Sequence, residues 1–167
     1  MTLNLAIPEA IGSKGKVLAD GEGMTRTSVP GETLTYKLTA GDTNGAYDYL
    51  LLDVQANSGT PMHIHHKQHE SLHFLKGRYK VQLEDEVFYI EEGGFVYIPM
   101  GVNHAFMNIS DEPGEAIVIF SPGGSAKFFE EFSPAIRSFD GPPDPAVLDP
   151  IFAKYDWELT GPPLSAD

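Results

Sequence analysis

From Leu34 to Ser121 the chain is built of short runs in which apolar residues recur at every second position. That period puts alternate side chains on opposite faces of a strand, so the chain must fold as sheet with one face in and one face out. The runs are "LTYKLT", "YDYLLLDVQ", "RYKVQLE", "EVFYIEE", "GGFVYIP", "NHAFMNIS" and "EAIVIFS". Turn-forming stretches such as "GDTNGAYD", "NSGTP" and "DEPG" separate them. Strands returning every 8–12 residues or so with turn signals between them predict an all-β sandwich or barrel.

The flanks differ. Residues 1–33 show no sustained period and read as an irregular arm. After residue 121 the period lengthens. In "SAKFFEEFSPAI", Ser125 is placed to cap a helix, and Phe128, Phe129 and Phe132 form one apolar stripe suited to covering the β-domain. "PIFAKYDWEL" reads as a second short helix with Pro150 in its first turn, and "TGPPLSAD" as a loose tail. With 167 residues, the expectation is one domain: an arm over 1–33, a β-barrel over 34–121, and a helical extension over 122–167 packed on it.

A net charge of −13 without clustered Lys or Arg excludes a nucleic-acid surface and disfavours anionic membranes. The absence of cysteine excludes disulfides and thiolate chemistry. The stretch "MTLNLAIPEAIGSKGK" has neither a basic start nor a long apolar run, and no later segment suits a bilayer span, so a cytoplasmic location is expected.

Five of the six histidines lie within residues 61–77. His63 and His65, two apart, share a strand face. Glu70 follows after four residues, and His104 comes later on a strand of its own. One such histidine alone reads as a buried ring satisfied by backbone. Three imidazoles and a carboxylate together suit one divalent transition metal: Fe, Mn, Ni, Co or Cu, with Zn also compatible. On a six-coordinate ion they leave two positions open, and a closed zinc site would more often use thiolates. His66, His69 and His73 fall in a turn or out of phase and are expected at the surface. Strand parity nominates Tyr36, Leu38, Leu72, Phe74 and Phe106 as pocket residues, together with either Phe95/Tyr97 or Val96/Ile98.

These residues resemble the two motifs of the cupin superfamily. The first is matched by His63-Ile64-His65, four residues, Glu70, six residues and Gly77. The second is matched by Gly93, five residues, Pro99-Met100-Gly101, two residues, His104, three residues and Asn108. The resemblance implies a small double-stranded β-helix, a jelly-roll-like barrel. Within the superfamily, "HIHHKQHE" and the "PGG…FFE" stretch are most similar to bacterial single-domain proteins related to quercetin 2,3-dioxygenase. That implies a metal-dependent dioxygenase acting on a phenolic or enolic, flavonol-like molecule with O2. Glu70 would be ligand, general base or both. The alternatives are a redox-neutral cyclase, isomerase or dehydratase of a polyketide-like substrate, and a small-molecule-binding protein without turnover. The resemblance also implies a homodimer, with the arm and the phenylalanine-rich helix supplying the contact.

Overall fold

The computed structural model describes residues 15–166. The first fourteen residues, which carry most of the stretch "MTLNLAIPEAIGSKGK" and part of the expected arm, lie outside the described residues. The described residues form eleven strands and three helices. They are β1 (Met24–Thr27), β2 (Glu32–Leu38), α1 (Ala40–Thr43), β3 (Asp48–Val54), β4 (Pro61–His65), β5 (His69–Lys76) and β6 (Tyr79–Leu83). Then come β7 (Glu86–Ile90), β8 (Phe95–Ile98), β9 (His104–Asn108), β10 (Gly114–Ser121), α2 (Ser125–Arg137), α3 (Pro145–Lys154) and β11 (Trp157–Pro163).

Hydrogen bonding sorts the strands into two antiparallel sheets, ordered β1-β2-β3-β10-β5-β8 and β11-β4-β9-β6-β7. Neither sheet closes on itself, so the expected jelly-roll barrel is not formed. The all-β character holds, but the ladders stop at β1 and β8 in one sheet and at β11 and β7 in the other. Alternating short strands bury their apolar faces equally well between two open sheets, and that periodicity is blind to whether the edges meet. The core lies between the sheets: Leu34, Leu50, Leu52, Leu72, Phe74 and Val118 from the first face Tyr79, Val81 and Phe106 from the second.

Local departures from strict alternation have visible causes. A register shift between Tyr36 and Leu38 takes Leu38 out of phase, leaving it half-buried beside Lys37, Tyr49 and Leu51. On β8, Val96 and Ile98 point inward while Phe95 and Tyr97 are exposed, which settles the pair left open by parity. Lys80 is buried, and its Nζ donates to the Ser165 carbonyl at 2.9 Å. The C-terminal segment therefore covers the outer face of β6.

That segment is also where sequence expectation fails most. The second helix begins at Pro145, capped by Asp144, whose side chain accepts from the Ala146 amide at 2.9 Å. Pro150 sits in its interior. Trp157 and its successors are strand: β11 pairs with β4, setting Trp157 opposite His65 and Leu159 opposite His63. Ser125 is the first residue of α2 and not its cap. Phe128, Phe129 and Phe132 are buried against this chain's own core, so they offer no face to a second copy. Among the described residues no helix is long and apolar enough to cross a membrane.

One polar knot anchors α2. Asp48, fully buried at the start of β3, accepts from the amides of Ala40 (2.6 Å), Gly124 (2.8 Å) and Ser125 (2.8 Å) and from the Ser125 hydroxyl (2.6 Å). Removing the carboxylate strands several buried donors at once, each costing about 1–3 kcal/mol. Asp48→Ala is therefore expected to lower unfolding stability by about 3 kcal/mol or more, read from the urea midpoint at unchanged slope. A loss near zero would show that α2 is held by its phenylalanines alone.

Candidate metal centre

Three strands and both sheets deliver the site. β4 alternates so that His63 and His65 face inward, while Ile64 faces the other way and pairs with Glu158. β9 runs beside β4 with His104 directly opposite His63. β5, in the facing sheet, contributes Glu70. The turn between β8 and β9 sets the entry of His104: Gly101 adopts φ 80°, and its amide donates to the His65 carbonyl at 2.9 Å. Asn108, at the far end of β9, is buried. Its amide donates to the carbonyls of Val54 (3.1 Å) and Glu112 (2.9 Å) and its oxygen accepts from Ser110, tying the loop after β9.

His63, His65, Glu70 and His104 are all buried, and their nearest donor atoms lie within 4.8 Å of one another. His104 Nε2 is 3.0 Å and His65 Nδ1 3.5 Å from Glu70 Oε2. The rings of His63 and His104 are 4.2 Å apart. Two of the rings are oriented by backbone: the Nδ1 atoms of His63 and His104 face the carbonyls of Pro61 (2.7 Å) and Val102 (2.9 Å). Each Nδ1 donates there, leaving Nε2 as a bare lone pair directed at the others.

The residues fit a cation on two counts. Both ring nitrogens of His65 are buried and have no hydrogen-bond partner, an expensive arrangement for an imidazole unless something else engages it. His104 faces acceptors with both nitrogens, yet a neutral ring carries one hydrogen. A cation held by His104 and Glu70 would remove that conflict. The four residues thus form a buried site for a single divalent transition-metal ion. Burial, and then the neighbouring imidazoles, hold the His63 and His65 rings well below the usual histidine range, so both are neutral, as metal ligands must be.

The cluster borders a cavity of about 30 Å³ lined by Ser28, Glu32, Leu34, Leu52, Thr60, Phe106, Val118, Phe120, Phe129 and Trp157 besides His63, His65 and Glu70. Of the pocket residues nominated by parity, Phe106 lines it. Tyr36, Leu72 and Phe74 are packed into the core, with the Tyr36 hydroxyl 2.9 Å from Ser125 Oγ, and Leu38 lies on another surface. Trp157 closes one side: its ring stacks on His65 at 3.9 Å, and its Nε1 donates to Gln68 Oε1 at 2.7 Å. A second small space, sharing Ser28, Thr60, His63, Phe129 and Trp157, leads towards an apolar groove of about 510 Å³ between the β-sheets and the C-terminal extension. His66 faces Glu158 at the surface, His69 faces the Tyr97 hydroxyl, and His73 is exposed.

Sequence reasoning passed over Glu32 and Trp157. A signal existed for the first: Glu32 is in phase with Leu34 and Tyr36, one step before the run begins. Trp157 had none, because its place depends on long-range pairing of β11 with β4.

Residues 50–120 match the cupin domain family. The fold is that of a cupin. It is similar to KdgF from Halomonas sp. (15% identity, TM-score 0.59), covering 67% of this chain and 99% of that one. It is also similar to a predicted oxalate decarboxylase from Thermotoga maritima (16% identity, TM-score 0.57; 64% and 99% covered). A third similar structure is a sugar phosphate isomerase of the cupin superfamily from Silicibacter pomeroyi (17% identity, TM-score 0.54; 64% and 75% covered). No curated protein matches the chain. None of these findings singles out quercetinase; they support the cupin fold alone.

The purified protein is expected to carry about one equivalent of a divalent transition metal, and His65→Ala or His104→Ala to weaken its affinity by about 100-fold or more. Elemental analysis and competition with a chelator measure both. The metal-free protein should also lose stability on acidification. Because the folded-state histidines titrate below the unfolded value near 6.5, the unfolded chain binds protons first as pH falls through that value. The stability gained above pH of about 6.5 is therefore lost below it, and metal should restore it, as melting curves across pH would show.

Proposed function

We propose that the protein is a metal-dependent enzyme that rearranges protons on a small enolisable substrate without an external oxidant, as an isomerase, dehydratase or cyclase. The observation that carries this reading is the buried His63–His65–Glu70–His104 cluster opening onto a narrow, largely apolar cavity. No Lys or Arg lines that cavity. A bound cation would be the one positive charge at the reacting end, and without a second fixed cation beside it the site favours a neutral or weakly acidic substrate. The apolar groove beyond suits a hydrophobic body. Proteins of the same fold that are named as an isomerase and a decarboxylase lend support to this class of chemistry. The oxygen chemistry suggested by the quercetinase resemblance has no comparable support.

A bound divalent cation would supply Lewis acidity, withdrawing electrons from a carbonyl or hydroxyl oxygen and acidifying the position beside it. The chain does the rest. His63 and His104 are locked by the carbonyls of Pro61 and Val102, so the donor set is pre-formed. Glu70 is the one carboxylate of the cluster and accepts the substrate proton as general base. Phe106, Phe120, Phe129 and Trp157 exclude water, which keeps a reactive enol from being lost.

The test uses protein loaded with redox-inert zinc and a panel of neutral 1,3-dicarbonyl compounds in heavy water. Exchange of the acidic methylene protons, followed by NMR, should proceed without oxygen uptake. Glu70→Gln should slow it by about 100-fold or more. Turnover that requires oxygen and vanishes with zinc would overturn the proposal.

A further inference from the structure

Glu32 opens β2 and is 2% exposed. It lines the same cavity as His63, His65 and Glu70. Its place is fixed by the turn before it, where its amide donates to the Val29 carbonyl at 3.1 Å and the Ser28 side chain bonds its carboxyl. The other oxygen, Oε1, is buried and has no hydrogen-bond partner. No cation among the cavity walls pairs with it. A lone carboxyl so placed is costly to the fold until a small polar group, a water or the reacting end of a substrate, reaches it from the cavity.

We propose that Glu32 is a second catalytic carboxyl of the cavity, one that touches the substrate and gives it a hydrogen bond or a proton. This rests on the metal-dependent reading above and adds the acid that reading lacks. Burial first, and then the nearby Glu70 charge, push the Glu32 carboxyl up to about 8, against the opposing Ser28 bond. While it holds its proton, Glu32 is an O–H donor facing the cavity. The proton balance closes. Glu70 takes a proton from carbon, and that C–H electron pair becomes the new C–C double bond. The carbonyl π pair takes the Glu32 proton to form O–H. The substrate is then an enol, Glu70 holds one proton and Glu32 is a carboxylate. Where a second double bond is conjugated to the enol, its π pair takes the Glu70 proton at the far (γ) carbon. The enol double bond shifts to join the α and β carbons, and the hydroxyl proton returns to Glu32 as the C=O re-forms. The product is an isomer, and both groups are reset without net redox change.

The titratable groups around Glu32 are Glu70 on β5, His63 and His65 on β4, and the Tyr79 hydroxyl on β6, itself raised by burial and by the charge of Glu32. A cation at the cluster offsets Glu70, so in loaded protein Glu32 loses its proton at lower pH than in metal-free protein.

The experiment compares wild type, Glu32→Gln and Glu32→Ala. Each is loaded with Co(II), checked for cobalt content, and titrated with formate by its visible spectrum from about pH 6 to 9. Glu32→Gln, which keeps a donor, should bind formate within about threefold of wild type at the acid end, and Glu32→Ala about tenfold more weakly. As pH rises, wild type alone acquires a carboxylate facing the anion. Its affinity should then fall about tenfold or more relative to Glu32→Gln. In metal-free wild type, the infrared carbonyl band of a protonated carboxyl should be present at the acid end, vanish around pH 8, and be missing in Glu32→Gln. If Glu32→Ala fails to fold, the pH-dependent ratio against Glu32→Gln decides. Equal formate binding at every pH, absence of the band, or loss of cobalt from both variants would overturn the proposal. A wild type that takes up no cobalt would instead sink the metal reading, and this one with it.

Discussion

Burying three imidazoles and a carboxylate where the protein gives them too few partners is the constraint around which this molecule is arranged. In water those groups would be fully hydrated. Here His65 has lost every hydrogen bond, and His104 and Glu70 share one short contact. Desolvation of that kind is tolerable only where the surrounding fold is strong enough to enforce it and a ligand compensates it. The two sheets supply the enforcement, since β4 and β9 hold the histidines on one side and β5 brings Glu70 from the other.

Rigidity around the cluster comes from backbone more than from side chains. Carbonyls of Pro61 and Val102 set two rings, and the Gly101 amide ties the turn before β9 to β4. The outer wall is built differently. Trp157 lies over His65, Phe128 lies 4.1 Å from Trp157, and α2 is pinned by Asp48. The chemistry is thus held by one layer and sealed by another that comes from a separate part of the chain.

That division explains what could be read in advance. A single-cation site was legible because metal binding needs particular donors, and the His-x-His spacing puts two of them on one strand face. The sheet content was legible because period two is a local property of each strand. Closure into a barrel was not, because the edges of β1, β7, β8 and β11 meet or fail to meet through long-range geometry. The strand at Trp157–Pro163 was hidden for the same reason, and its prolines argued against it locally. The pocket residues Tyr36, Leu72 and Phe74 face inward as parity requires, yet facing inward is not the same as facing the cavity. Glu32 shows the converse: an acidic residue in phase with an apolar run is a signal that binary patterning tends to discard.

The pairing of β11 with β4 also has a temporal side. The ribosome delivers His63 and His65 long before it delivers Trp157. In that interval the two-histidine strand lacks its neighbour and its aromatic roof, and its unpaired edge is open to solvent and to stray ions. The aromatic roof over His65 is thus made from a stretch of chain that emerges well after the four cluster residues themselves.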